Sequence, residues 1–226
     1  MINFEALFKI SYGLYIVCSG DKVRGNGFIS NTVFQVTAEP AKFAACCHKN
    51  NFTAVCIQRS GAFSVSVLNK DSSSEIFARF GYKSGKDFDK LAGMDIKYGN
   101  TGVPVVINES IAFIECRLDQ TIDLGTHLMF IGELVNAEIL DDTKEPITYQ
   151  YYRQVKKAVA PKNAPTYIDR SKLEVKPRVL FSKYECPACG YIYDEAVEKV
   201  KFEDLSEDWV CPACGCGKTD FIKINP

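Results

Sequence analysis

The chain has 226 residues, 46% hydrophobic and 24% charged, with a formal net charge of −1. This length fits one to two domains with a core of their own. It carries no apolar run near the ~20 residues of a membrane span, and its overall charge gives no blanket argument for nucleic acid.

The opening stretch MINFEALFKISYG has an acid at Glu5 and no long apolar run, which makes a poor signal peptide. A cytoplasmic protein is expected. In chain order, LYIVCS (14–19) reads as a strand with GDK as turn material. GFISNTVFQVT (27–37) alternates over its second half and reads as a strand, and AKFAACCH (41–48) as a short apolar one. NNFTAVCIQRSG (50–61) predicts a helix with an asparagine cap and Gly61 as terminator. AFSVSVL (62–68) alternates as a strand, and SSSEIFARFG (72–81) predicts a second helix from a serine cap to Gly81. Residues 112–124 and 127–140 predict a long hairpin around Gly125, with a third helix over 148–158. Repeated strands with small turns predict a mainly β fold, a barrel rather than a doubly wound sheet.

APKNAPTYIDRSKLEVKPRV (160–179), with three prolines and many charges, reads as tail and linker. Residues 183–226 then form a second module, too small to fold well on apolar burial alone, so a metal would supply much of its stability. That module carries 5 Lys/Arg against 9 Asp/Glu, whereas residues 153–182 carry 8 against 2. The basic stretch reads as a solvated helix and linker facing an acidic neighbour; a nucleic-acid surface is the sharper alternative.

Ten cysteines invite a disulfide reading, but their spacing opposes it. Cys18, Cys46, Cys47, Cys56 and Cys116 lie scattered in apolar stretches, where a reduced thiol behaves as a small hydrophobe. Cys186, Cys189, Cys211 and Cys214 form CxxC-x21-CxxC, which converges on one tetrahedral ion, a zinc ribbon or a single iron. Gly190 and Gly215 follow the second cysteine of each pair, where glycine turns amide N–H groups toward thiolates. Six aromatic residues within the module (Tyr184, Tyr191, Tyr193, Phe202, Trp209 and Phe221) form a candidate core beside the metal. Cys216, outside a closed four-ligand site, reads as a small apolar residue, with a reactive thiol as the alternative.

In the larger module no GxGxxG marks a dinucleotide fold. Lys49, Asn50, Asn51 and Thr53 stand at the start of the 50–61 helix, whose free N–H groups suit a phosphate. Plain capping of the helix explains the same residues.

YECPACGYIYDE with DWVCPACGCGKTDF closely resembles rubredoxin, the small protein with one iron and four cysteines. Its departure is the 21-residue stretch between the pairs, shorter and richer in Lys and Glu than in free-standing rubredoxins. The resemblance implies iron cycling by one electron. The segments NGFISNTVFQVTAEPAKFAACCHKNNFTAVCIQRSGAFSVSVL, FARFGYKSGKDFDKL, THLMFIGEL and PITYQYYRQVKKAVAPKNAPTY resemble the flavin reductase-like family of FMN-binding split β-barrels. That resemblance implies flavin contacts at Ser30, Asn31 and Thr32 with Cys47 and His48 nearby. It also implies a phosphate segment over Lys49, Asn50, Asn51 and Thr53, with Lys90 a further phosphate candidate. His127 is implied to lie near flavin and nicotinamide, in a positioning role rather than as a general acid.

The expected organisation is a split barrel over 1–168, a linker over 169–182 and a rubredoxin domain over 183–226. Such a linker spans roughly 20 Å as a flexible coil and holds the iron at high effective concentration. The two resemblances imply an FMN-dependent NAD(P)H:rubredoxin oxidoreductase. Its barrels would pair as a homodimer, and its acceptor would be a flavodiiron protein reducing nitric oxide or oxygen, with no nucleic acid or membrane partner. A reductase that releases reduced flavin, and a non-enzymatic zinc-ribbon scaffold, are the alternatives.

Overall fold

The structure, a computed structural model, describes residues 2–173 and 182–224. The chain divides into two compact units, Met1–Leu173 and Glu174–Pro226. Positions 174–181 of the expected linker lie outside the described residues. No helix among the described residues is long and apolar enough to cross a membrane.

The first unit opens with a 3-10 turn, Phe4–Lys9. Its strands are β1 (Tyr15–Ser19), β2 (Asn26–Ser30), β3 (Val33–Ala38), β4 (Ala41–His48), β5 (Ala62–Leu68), β6 (Ile96–Tyr98), β7 (Pro104–Val106), β8 (Ser110–Asp123) and β9 (His127–Ile139). Helices are α1 (Phe52–Ser60), α2 (Ser74–Phe77) and α3 (Tyr149–Gln154). Seven strands form one antiparallel sheet in the order β2-β1-β5-β8-β9-β4-β3, and β6 pairs with β7 apart from it.

The expected single strand over 27–37 is two. Asn31 and Thr32 break it, where the Ser30 hydroxyl accepts from the Thr32 N–H at 3.2 Å. Only those two residues separate β2 from β3, yet the two strands stand at opposite ends of the sheet order. The sheet must therefore curl until its ends meet, and β2 does contact β4. The result is a barrel split at 31–32.

Strand alternation sorts the core. Val17, Phe28, Ala45, Phe63, Val65 and Phe130 pack with Ala54 and Ile57 of α1. Their neighbours Ile16, Cys18 and Leu68 point the other way, under Phe77, Phe80, Val106 and Tyr152. Asn51 caps α1 by accepting from the Thr53 N–H at 3.1 Å, and Gly61 ends it in the left-handed conformation. The second expected helix is shorter in its α form: α2 passes into a π-helical turn, Ala78–Tyr82, which delivers Tyr82 and Lys83 to one rim of the barrel. The third spans six residues rather than the expected 148–158.

Residues 159–168 are not a tail. They form a strap held to the barrel: the Tyr82 hydroxyl donates to Val159 O at 2.7 Å, and Asn31 Nδ2 donates to Thr166 Oγ1 at 2.7 Å. Proline at 161 and 165 keeps the strap out of any ladder, so turns within it (Ala164 N to Pro161 O, Tyr167 N to Ala164 O) and side chains from the barrel satisfy its backbone.

In the second unit β10 (Lys183–Glu185) lies between β11 (Ile192–Asp194) and β12 (Ile222–Ile224), with a short α4 (Glu195–Glu198). Tyr184 stacks on Phe202 at 4.1 Å, and Phe202 meets Trp209 edge-on at 5.7 Å. Glu195 is buried, accepting from Ser182 N at 2.7 Å and Phe202 N at 2.9 Å, and so ties the loop to the sheet.

Candidate functional site

Between β2, the start of α1 and the 81–85 loop lies a cavity of about 290 Å³. Phe28 and Ile29 of β2 give it an apolar wall, and Cys46 and His48 of β4 a polar one. Asn50 and Asn51 before α1 face Lys83 and Ser84 of the 81–85 loop, and the strap residues Pro161–Pro165 close one side. The Lys83 ammonium makes no hydrogen bond or ion pair among the described residues and sits 4.1 Å from the Phe88 ring centre. Lys90 is buried, and its ammonium donates to Gly27 O at 3.0 Å and Phe80 O at 3.3 Å. Burial pulls its pKa down to about 8, against a smaller opposing pull from the Cys18 and Cys47 thiols. An apolar wall for a ring system beside an unpaired cation and a set of amides suits a flavin phosphate.

His48, Asn50, Asn51 and Lys90 line this cavity. Ser30, Asn31, Thr32, Cys47, Lys49 and Thr53 do not stand on its wall. Alternation along β4 explains one case: Cys46 and His48 share a face, and Cys47 between them points into the core. Lys49 pairs with Asp123 at 2.6 Å, and the buried Thr53 hydroxyl donates to Asn26 Oδ1 at 2.9 Å. Asn31 lines a small adjoining pocket with Tyr82 and Ala164. From the sequence Cys46 reads only as an apolar thiol, and Tyr82, Lys83, Ser84 and the strap only as parts of segments resembling the family, with no role assigned. Spacing of two from His48 points to Cys46; nothing local points to the strap.

His127 begins β9 directly opposite His48 on β4, and their rings meet edge-on at 4.9 Å. His127 Nε2 lies 3.1 Å from Asn163 O, an acceptor, so that nitrogen carries the proton, and Nδ1 accepts from the Thr126 hydroxyl at 2.9 Å. His48 Nδ1 accepts from Asn50 N at 3.1 Å. Burial, and then the proximity of His127, lower the His48 pKa.

The sulfurs of Cys186, Cys189, Cys211 and Cys214 all lie within 4.8 Å of one another. Cys186 to Cys214 is 3.6 Å and Cys189 to Cys211 is 3.7 Å. A tetrahedron with metal–sulfur bonds of ~2.3 Å has edges of ~3.8 Å, so the four thiolates fit one ion. The two pairs are built alike: Gly190 N donates to Cys186 O, and Gly215 N to Cys211 O, each at 2.8 Å. Both glycines have positive φ, 74° and 78°. The turns point N–H groups at sulfur: Ala188 and Cys189 donate to the Cys186 thiolate, Tyr191 to that of Cys189 and Cys216 to that of Cys214. Cys186 and Cys211 are buried, whereas Cys189 and Cys214 face solvent. Cys216 is not merely apolar filler; its thiol donates to Asp220 Oδ2 at 3.2 Å.

A family model described as "Flavin reductase like domain" matches residues 7–159. The chain belongs to the flavin reductase-like family. A second family model, rubredoxin, matches residues 183–221. The chain is 40% identical over 232 aligned residues to a high molecular weight rubredoxin of Moorella thermoacetica, covering 99% of this chain and all of that one. It is 44% identical to a ferric-chelate reductase (NAD(P)H) of Archaeoglobus fulgidus, covering 74% of this chain and 99% of that one. Among solved structures, flavin reductase HpaC complexed with NADP+ superposes with a TM-score of 0.56 at 25% identity, covering 64% of this chain and 89% of that one. This chain is thus an oxidoreductase: a flavin reductase-like barrel with a flavin as its cofactor, joined to a rubredoxin domain whose four cysteines hold one iron.

Proposed function

We propose that the chain takes electrons from NAD(P)H at the barrel and delivers them singly, through the four-thiolate iron, to an external acceptor. The observation that carries this reading is the presence on one chain of both the cavity between β2, α1 and the 81–85 loop and the four converging thiolates. FMN is the flavin assigned to the cavity. A bound flavin supplies the exchange between a two-electron donor and a one-electron acceptor.

The residues divide the work. Phe28 and Ile29 give the ring an apolar wall that excludes water. Asn50, Asn51, Lys83 and Ser84 hold the phosphate, with Lys90 fixing the loop behind them through two backbone carbonyls. The other assigned residues act indirectly: Ser30 and Thr32 shape the turn after β2, Asn31 holds the strap through Thr166, Cys47 packs in the core, Lys49 pairs with Asp123 and Thr53 holds Asn26. His127 positions the strap over the nicotinamide rather than moving a proton.

The acceptor assigned is a flavodiiron protein that reduces nitric oxide or oxygen, in a cytoplasmic setting. The acidic balance of residues 183–226 suits a basic docking patch on it. A homodimer is assigned to the barrel. It is supported by the edge strand β3, where Phe34 and Val36 stand 52% and 43% exposed. The Archaeoglobus relative, aligned over almost its whole length and named for reducing chelated ferric iron, supports transfer from such a barrel to a ferric centre.

The test is anaerobic stopped-flow mixing with NADH and then NADPH, following the flavin and ferric-thiolate bands together. Flavin bleaching followed by iron bleaching at the same or a slower rate is expected. Flavin bleaching over persistently ferric iron refutes the internal transfer, and no change with either nucleotide refutes the reductase assignment.

A further inference from the structure

A second, larger cavity of about 580 Å³ adjoins the first and shares Tyr82, Pro161 and Lys162 with it. It is roofed by the strap and by residues up to Leu173, most of them beyond residues 7–159 that the family model matches. Its volume falls in the usual range for a small-molecule site.

Aromatic rings make its walls: Phe8, Tyr82, Tyr149 and Tyr167. Two cations stand among them. The Arg153 guanidinium lies 3.3 Å over the Phe8 ring, and Lys162 stands where the two cavities meet. Neither makes a hydrogen bond or close ion pair among the described residues, although Lys162 lies near enough to Asp169 to help lower that carboxyl's pKa. A half-buried guanidinium with no anion beside it leaves five N–H donors to be satisfied. One acid, Asp169, also lines the cavity; its Oδ1 accepts from the Ser171 N–H and hydroxyl, and its Oδ2 has no hydrogen bond among the described residues.

We propose that this cavity binds the ADP half of the nicotinamide dinucleotide, adenine against the tyrosines and pyrophosphate between Lys162 and Arg153, and that it selects the form without a 2′-phosphate. The inference rests on the reductase reading above and names the part of the reductant that lies away from the flavin. Its support is charge and shape. A flat base matches aromatic walls, and two phosphates match two cations, of which Arg153 has no acid in ion-pair contact. Lys162, at the meeting of both cavities, stands where the pyrophosphate must pass if the nicotinamide reaches into the first. A ribose 2′-hydroxyl donates to the open oxygen of Asp169, whereas a 2′-phosphate sets like charges side by side.

Calorimetric titration of the full-length, flavin-loaded protein with ADP, adenosine and 2′,5′-ADP tests the cavity without reference to turnover. ADP is expected to bind, about tenfold more tightly than either adenosine or 2′,5′-ADP. Arg153→Met is expected to weaken ADP about tenfold while bound flavin per chain is unchanged. Lys162→Glu, at an exposed position, is expected to weaken ADP by the same factor and serves should Arg153→Met fold poorly; because Lys162 also lines the first cavity, its ADP affinity is compared on flavin-loaded protein only. Asp169→Asn should bring 2′,5′-ADP level with ADP. Absent ADP binding, ADP binding unaltered in both cation variants, or tighter binding of 2′,5′-ADP each overturns the assignment. Oxidation of NADH is measured alongside. Turnover with unaltered ADP binding in the variants overturns the cavity alone; ADP binding without turnover of NADH or NADPH overturns the reductase reading and the dinucleotide assignment with it.

Discussion

His48 and His127 are the two histidines of the chain, and they are register partners on β4 and β9, with ring centres 4.9 Å apart and planes at 82°. One ring lines the first cavity and the other holds the strap that closes it. Burial disfavours a charge on His48, the nearby His127 adds to that, and the His48 pKa is lowered.

A pH dependence follows from that lowering. The folded protein binds a proton at His48 less readily than the unfolded chain does. The neutral ring's contribution to stability is therefore full above the unfolded value near ~6.5 and is lost as pH falls below it. Urea midpoints of the native protein and of His48→Gln, compared at neutral and mildly acid pH, should show the larger acid-side loss in the native protein. Equal losses would remove His48 as the cause.

Glu115 should behave as a structural carboxylate. It is fully buried and accepts from Thr101 Oγ1 at 2.6 Å, Asn136 Nδ2 at 2.9 Å, and the N–H groups of Asn100 and Thr101 at 3.0 Å each. Burial pushes its pKa up, but these donors outweigh burial and leave it lowered. Glu115→Gln puts an amide N–H₂ against donors and should cost about 2 kcal/mol in chemical denaturation. Because the folded pKa is the lower one, the stabilisation is present above the unfolded carboxylate range and disappears as pH falls through the folded value.

Lys83 and Thr53 should separate cofactor affinity from stability. Lys83→Met removes an unpaired cation from the cavity and should weaken FMN about tenfold with little change in melting temperature. Thr53→Val leaves the buried Asn26 without its 2.9 Å partner and should cost about 1–3 kcal/mol of stability. Unchanged FMN affinity in Lys83→Met would move the phosphate elsewhere.

Cys211→Ser should abolish the ferric-thiolate spectrum while flavin reduction by NAD(P)H persists, since the two units have separate cores. Loss of both activities would mean that the barrel depends on the rubredoxin domain for its fold.

The metal centre was the most legible part of the sequence, because its ligands come in two local pairs and each pair's geometry is set within five residues. Barrel strands were legible from alternation, as β5 and the β8–β9 hairpin show. What escaped was non-local. The break at Asn31–Thr32 looks like strand because both flanks are strand; only closure of the sheet demands a gap there. The cavity draws on residues near 28, 48, 83 and 163, and no window of sequence holds them together. Lys49 and Thr53 drew attention as phosphate ligands by chemistry and position, but their partners Asp123 and Asn26 are distant in the chain.

Tyr82, Asn31 and His127 each hold the strap by one hydrogen bond, at Val159, Thr166 and Asn163. Anyone dividing this protein to study its halves therefore has a choice of scissors. A barrel cut at 159, where the family likeness stops, would lose the strap that forms one side wall of the first cavity. One cut after Leu173 keeps that wall and the whole of the first compact unit.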